Sequence, residues 1–103
     1  MKEEWKPRLI SWEEAEKYKY HSGTLLIDLR EPAQYQEGHL SGAWNVAFDE
    51  LENYLELICH YDYVIFYCAS GNHSLKAAKL VGKRGKQALS IAGGYESRYG
   101  KKH

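Results

Sequence analysis

Polar and apolar positions along the chain change period several times, and each change marks a predicted element. Ser11-Trp12-Glu13-Glu14 has the spacing of a capping box, so a helix is predicted from Trp12 to about Tyr20, broken by His21-Ser22-Gly23. Thr24-Leu25-Leu26-Ile27-Asp28 is then a continuous apolar run, the pattern of a central parallel strand covered on both faces. Pro32 opens a short helical turn that Gly38 closes, and Ala43 to Val46 reads as a brief strand. Asp49-Glu50-Leu51-Glu52 repeats the capping chemistry. Leu51, Tyr54, Leu55 and Ile58 follow at i, i+3, i+4 and i+7, which predicts an amphipathic helix through Cys59. Tyr63 to Tyr67 is the second buried strand, rich in β-branched and aromatic residues. Helical spacing resumes at Ser74, with Ala77, Leu80 and Val81 on one side and an end near Lys83, and Gln87 to Ile91 forms the last strand. Strands alternating with helices through short connections predict an α/β fold: a parallel sheet with right-handed crossovers and helices on both faces.

Composition narrows the class. The 103 residues, 44% hydrophobic and 27% charged, suit one small globular domain and exclude a disordered or collagen-like chain. With no linker and no repeat, the expectation is a single domain over 1–103 with a compact core from about Arg8 to Gly100. Met1 to Pro7 would be a charged lead-in, and Lys101-Lys102-His103 a basic exit. Two cysteines do not build a secreted disulfide framework, and the start lacks the apolar stretch of a signal peptide. The longest apolar run, Tyr63 to Ala69, is well short of the ~18 to 20 residues of a membrane span. A cytoplasmic protein with no membrane partner is expected.

Charge changes the picture further. The net charge is zero, yet Met1 to Asp62 holds six basic and thirteen acidic residues, and Tyr63 to His103 eight basic and one acidic. This asymmetry suggests a mildly positive approach, through Lys76, Lys79 and Arg98, to whatever site the second half carries. Lys76, Lys79 and Lys83 share one helical face, but no nucleic-acid module accompanies them, so a solvated surface is the reading and no nucleic-acid partner is expected.

Parallel α/β sheets place ligands at the carboxyl ends of their strands, and Cys68-Ala69-Ser70-Gly71-Asn72-His73-Ser74 occupies that position between a strand and a helix. Such a loop turns successive backbone N–H groups toward one point and adds the positive end of the helix dipole. Gly71 and Asn72 tolerate the positive φ that the curl needs. Cysteines in such settings are commonly held as thiolates, which are nucleophiles, and the same amides would steady a persulfide anion. The plain alternative is a small apolar residue ending a buried strand. Cys59, beside Ile58, keeps that structural reading.

Three motifs in order carry a family resemblance. Asp28-x-Arg30-Glu31 followed by Gly38-His39-Leu40-Ser41-Gly42-Ala43, the loop CASGNHS, and Ala92-Gly93-Gly94-Tyr95 together resemble a rhodanese domain over about Leu9 to Tyr99. The resemblance implies a five-stranded, mostly parallel sheet in a three-layer fold. It also implies a sulfurtransferase without cofactor or metal, moving sulfane sulfur from a small anionic donor such as thiosulfate to cyanide, a thiol or a protein acceptor. Cys68 would be the nucleophile and persulfide carrier, the backbone of Ala69, Ser70, Gly71, Asn72, His73 and Ser74 the cradle, and Asp28 and Arg30 supports that order the neighbouring loop.

The chain departs from the family pattern in two places. His73 stands where many members have Arg, and an imidazole is charged only toward mild acidity, where transfer from an anionic donor is expected to improve. Arg98 stands near a position where an aromatic residue is common, and is expected to face solvent. A cysteine phosphatase would need Arg where Ser74 stands, and its loop is one residue longer. A catalytically weak or inert binding or carrier module is the alternative that the altered loop leaves. Cys59, His60, Cys68 and His73 match no common zinc spacing.

Overall fold

The computed structural model describes residues 6–100. The expectations for Met1 to Trp5 and for Lys101 to His103 lie outside the described residues. Five strands, β1 (Arg8–Ile10), β2 (Thr24–Asp28), β3 (Trp44–Asn45), β4 (Tyr63–Tyr67) and β5 (Gln87–Ile91), form one sheet in the order β1-β5-β4-β2-β3. Every pairing is parallel, as the apolar runs and alternating helices predict. Register brings Asp28 opposite both Tyr67 and Asn45, and Phe66 opposite Ser90, so the carboxyl ends of β2, β4 and β5 meet at one edge of the sheet.

Alternation along the strands divides the core into two layers. Leu25, Ile27, Val64 and Phe66 face one side, where they pack with Leu51, Leu55, Ile58, Ala77, Ala78 and Val81. Leu26, Ile65, Tyr67 and Leu89 face the other and pack with Trp12, Ala15 and Tyr95. The helices are α1 (Trp12–Tyr18), α2 (Pro32–Glu37), α3 (Leu55–Ile58), α4 (Asn72–Gly82) and α5 (Gly94–Tyr99). α1 starts at the predicted capping box, with Glu14 N–H donating to Ser11 Oγ and Ser11 N–H to Glu14 Oε1, both at 3.1 Å. α2 has Pro32 in its first turn and Gly38 at its end, as predicted.

Three expectations are corrected. The amphipathic helix predicted around Leu51 to Ile58 is a 3-10 stretch over Phe48–Tyr54 followed by the single α turn of α3. Its start is fixed by the Phe48 amide on Leu29 O, the residue before it is Ala47, and Glu50 accepts from Asn53 Nδ2 instead of capping. The tighter winding leaves Leu51 buried and turns Tyr54 outward, 43% exposed. On α4 the buried stripe is Ser74, Ala77, Ala78 and Val81, and Leu80 is half-exposed, so small side chains let the helix lie close to the sheet. β1 and α5 have no counterpart in the predicted elements. β1 is three residues with only Ile10 buried, and α5 begins on a glycine pair that reads as a breaker.

Candidate active site

The site is built where β4 runs out. Cys68 follows β4 and is 4% exposed, and its Sγ accepts from the backbone amides of Gly71 at 3.0 Å and Ser74 at 3.4 Å. Ser74 Oγ lies 3.6 Å from the same sulfur. Two amide donors thus face Sγ, and the Ser74 hydroxyl oxygen stands beside it as an acceptor for the thiol. Ala69, Ser70, Asn72 and His73 complete the curl without a hydrogen bond to the sulfur. Asn72 and His73 belong to the first turn of α4, whose amides have no intrahelical acceptor.

Gly71 takes the left-handed conformation, φ +104°, as expected. Asn72 does not share it: positive φ among the described residues is confined to glycine, and Asn72 is the first residue of α4. One left-handed residue suffices to turn the chain from strand into helix.

Beneath the loop, Ser74 Oγ and Ser90 Oγ are 2.7 Å apart, and both residues are fully buried. Ser74 Oγ also donates to Gly71 O at 3.1 Å. The cysteine loop is therefore braced from β5 through a hydroxyl pair. A second brace comes from α5, whose Tyr95 and Glu96 amides donate to the carbonyls of Cys68 and Ala69 at 2.8 and 2.9 Å. This approach requires glycine: a Cβ on Gly94 would stand 2.5 Å from Cys68 O and 2.7 Å from Ala69 O, at φ +66°. The glycine pair thus holds the loop from below.

Asp28 and Arg30 form the wall. Asp28 Oδ1 accepts the Arg30 amide at 2.9 Å and Nε at 3.1 Å, and Oδ2 accepts Arg30 Nη2 at 2.8 Å. Arg30 Nη2 also donates to Gly38 O, and the guanidinium lies 3.8 Å from the Tyr95 ring centre. Burial works against its charge, but the Asp28 carboxylate outweighs burial, so the guanidinium holds its proton more firmly than usual. Tyr67 lies beside the pair and accepts the Leu40 amide at 3.0 Å. Burial first, then the Asp28 carboxylate, pushes its phenol up, so it stays neutral. The pair ties the end of β2 to the end of α2 and to α5. Asn45, unremarked in the sequence, joins the same corner by donating to Asp28 O at 3.2 Å and Arg30 O at 2.9 Å.

A cavity of about 210 Å³ opens on the cysteine, lined by Leu29, Arg30, Glu31, Gln34, Phe48, Asp49, Cys68, Ala69 and His73. The His73 ring is exposed and stacks on Phe48, with centres 4.3 Å apart and planes at 6°. The expected positive approach is not found: Lys76, Lys79 and Arg98 do not line this cavity. Arg98 is exposed and lies over Trp12, 5.8 Å from the ring, in line with its expected solvent position. Cys59 ends α3, partly buried. His39, stacked on Tyr35, has Nδ1 2.8 Å from Tyr35 O, a structural arrangement. Among the described residues no helix is long and apolar enough to cross a membrane.

The fold is thus a parallel α/β sheet that presents a buried cysteine at the head of an amide-lined loop. The chain matches the family model for the rhodanese-like domain over residues 11–100 and belongs to that family. A tRNA sulfurtransferase of Pyrobaculum aerophilum is 32% identical over 69 residues, which are 67% of this chain; the match spans 14% of that protein's length. Among solved structures, the reduced CoADR-RHD protein of Bacillus anthracis superposes with a TM-score of 0.77 at 27% identity, covering 86% of this chain and 16% of that one. A human single-domain sulfurtransferase shares the fold with a TM-score of 0.74 at 23% identity, covering 92% of this chain and 97% of that one.

Proposed function

We propose that the protein is a sulfurtransferase that works through a persulfide on Cys68. The supporting observation is the sulfur itself: buried, accepting from two backbone amides, with the Ser74 hydroxyl oxygen beside it as an acceptor. In the first half-reaction the Cys68 thiolate attacks the sulfane sulfur of thiosulfate. The S–S bond of the donor breaks, sulfite leaves with its electron pair, and Cys68–S–S⁻ remains. The first-turn amides of Asn72 and His73 supply donors for the added sulfur, next to those already on Sγ. In the second half-reaction cyanide or a thiolate attacks the outer sulfur, and the bonding pair returns to Cys68 Sγ. No cofactor or metal enters either step. A protein thiol can accept sulfur by the same chemistry, and a cytoplasmic setting suits a free thiol.

A phosphatase reading lacks its cation: Ser74, at the place where a phosphate-gripping arginine would stand, is buried against Ser90. The second reading, a weak or inert module, draws on His73 in place of a permanent cation. One experiment decides between them. Reduced protein is incubated with thiosulfate, intact mass is followed for one added sulfur, and cyanide is tested for its removal as thiocyanate. Loading on the wild type and none on Cys68→Ser is the expected result. A wild type that gains no sulfur promotes the inert module, and equal gain by Cys68→Ser sinks the role of Cys68.

A further inference from the structure

The surroundings of Cys68 carry the opposite sign to the one that a dianionic donor favours. Glu31 and Asp49 line its cavity, and Glu37 and Glu96 line an adjoining cavity of about 200 Å³ that shares Arg30, Gln34 and Ala69 with it. Among the described residues the ion pairs are Lys19 with Glu16 and Arg30 with Asp28, so these four carboxylates are unpaired. Among the described residues Arg30 is the permanent cation lining the two cavities, and it is 7% exposed with its charge met at contact distance by Asp28. His73 contributes charge only when protonated. The lysines of α4 line neither cavity.

The carboxylates also come from separate elements. Glu31 precedes α2, Glu37 ends it, Asp49 lies on the 3-10 stretch and Glu96 on α5. They are spread over two adjoining cavities, more room than cyanide or a small thiol fills. Charge of one sign spread around a reactive centre draws in ligands of the other sign and repels like ones.

We propose that the physiological acceptor is a cysteine in a polypeptide segment flanked by basic residues. The inference rests on the sulfurtransferase reading and names the substrate class of its second half-reaction. The peptide thiol gives up its proton as its sulfur bonds to the outer sulfur of Cys68–S–S⁻, the S–S bond breaks with its electron pair and that proton passing to Cys68 Sγ, and the peptide leaves as R–S–S⁻. No oxidant or reductant is needed.

The test uses protein loaded from thiosulfate, or from inorganic polysulfide if thiosulfate loads slowly. Transfer is followed to three acceptors, with each rate constant expressed per thiolate: a peptide with lysines flanking one cysteine, the same peptide with glutamates, and cysteamine. The lysine peptide is expected to react about tenfold or more faster than the glutamate peptide at low salt. That ratio should fall toward one when ~1 M salt shortens the screening length to about 3 Å. It should also fall in the combined variant Glu31→Gln, Glu37→Gln, Asp49→Asn, Glu96→Gln; the salt series serves if that variant does not fold. A ratio at or below one at low salt, or a ratio indifferent to salt, overturns the proposal. So does cysteamine reacting as fast as the lysine peptide, which would point to a small aminothiol instead. A protein that accepts no sulfur from either donor overturns the parent reading as well, whereas one that loads and then fails to discriminate overturns this inference alone.

Discussion

Ser74 stands at the point where the loop and the core meet. Its amide and hydroxyl both reach Sγ, and the same hydroxyl pairs with Ser90 at 2.7 Å. Ser90→Ala removes the buried partner and should cost about 1 kcal/mol in denaturant unfolding, as lost hydrogen bonds of this kind do. Ser74→Ala should in addition slow sulfur loading several-fold, because the hydroxyl that braces the loop at Gly71 O beside Sγ is lost; equal loading rates in the two variants would contradict the separate roles. His73→Arg puts a fixed cation on the cavity wall and should raise kcat/KM for thiosulfate several-fold, an effect that salt should erode. Gly94→Ala drives a Cβ into the carbonyls of Cys68 and Ala69, and should abolish loading even where the protein still folds. Cys68 and Gly71 were legible in the sequence because a strand, a turn and a helix bracket them locally. Ser90 and Asn45 were not, since their partners depend on the register between strands far apart in the chain. Asn72 misled for a related reason: its tolerance of positive φ is real, but the loop needs only one such residue, and Gly71 supplies it.

At the scale of elements, period was a good guide wherever the chain could follow it freely. β2, β4, β5, α1 and α2 fall at their predicted places because apolar runs and end signals agree there. The segment around Leu51 obeys a distant constraint instead, the tether of Phe48 to Leu29, and winds more tightly than its apolar spacing suggests. The difference has a measurable consequence. Leu51→Ala opens a buried site and should cost about 2–5 kcal/mol. Tyr54→Ala, which a regular helix would make comparably severe, should change stability by no more than about 0.5 kcal/mol. Equal costs by urea denaturation would restore the helical reading. β1 and α5 could not be read from period at all: β1 is too short to show one, and α5 depends on donating its first amides to the cysteine loop.

Across the whole molecule, the strand order explains why charge counted along the chain misleads. The order β1-β5-β4-β2-β3 sets strands of the acidic half on both sides of the basic half's two strands, so the sequence asymmetry does not become a positive approach to Cys68. The same interleaving gathers Asp28, Arg30, Tyr67 and Tyr95 from both halves into one buried cluster, which makes the molecule sensitive to alkali. Tyr67 is fully buried, and burial together with Asp28 raises its phenol above the ordinary value of about 10. Above that pH the unfolded chain loses the Tyr67 proton while the folded chain keeps it, so the folded state binds more protons and stability falls as pH rises. The contribution is fully present below about pH 10. Its slope approaches about 1.4 kcal/mol per pH unit for one group. Arg30 stays charged through this range in the folded protein, since its own shift is also upward. Other tyrosines ionise over the same interval, so the informative quantity is the difference between wild type and Tyr67→Phe. The wild-type advantage that comes from the Leu40 hydrogen bond should hold steady from pH 7 to 9 and shrink between pH 10 and 11. A difference that stays constant or widens through pH 11 would mean that Tyr67 ionises in the folded protein as readily as in the unfolded chain, and that the cluster does not hold its proton.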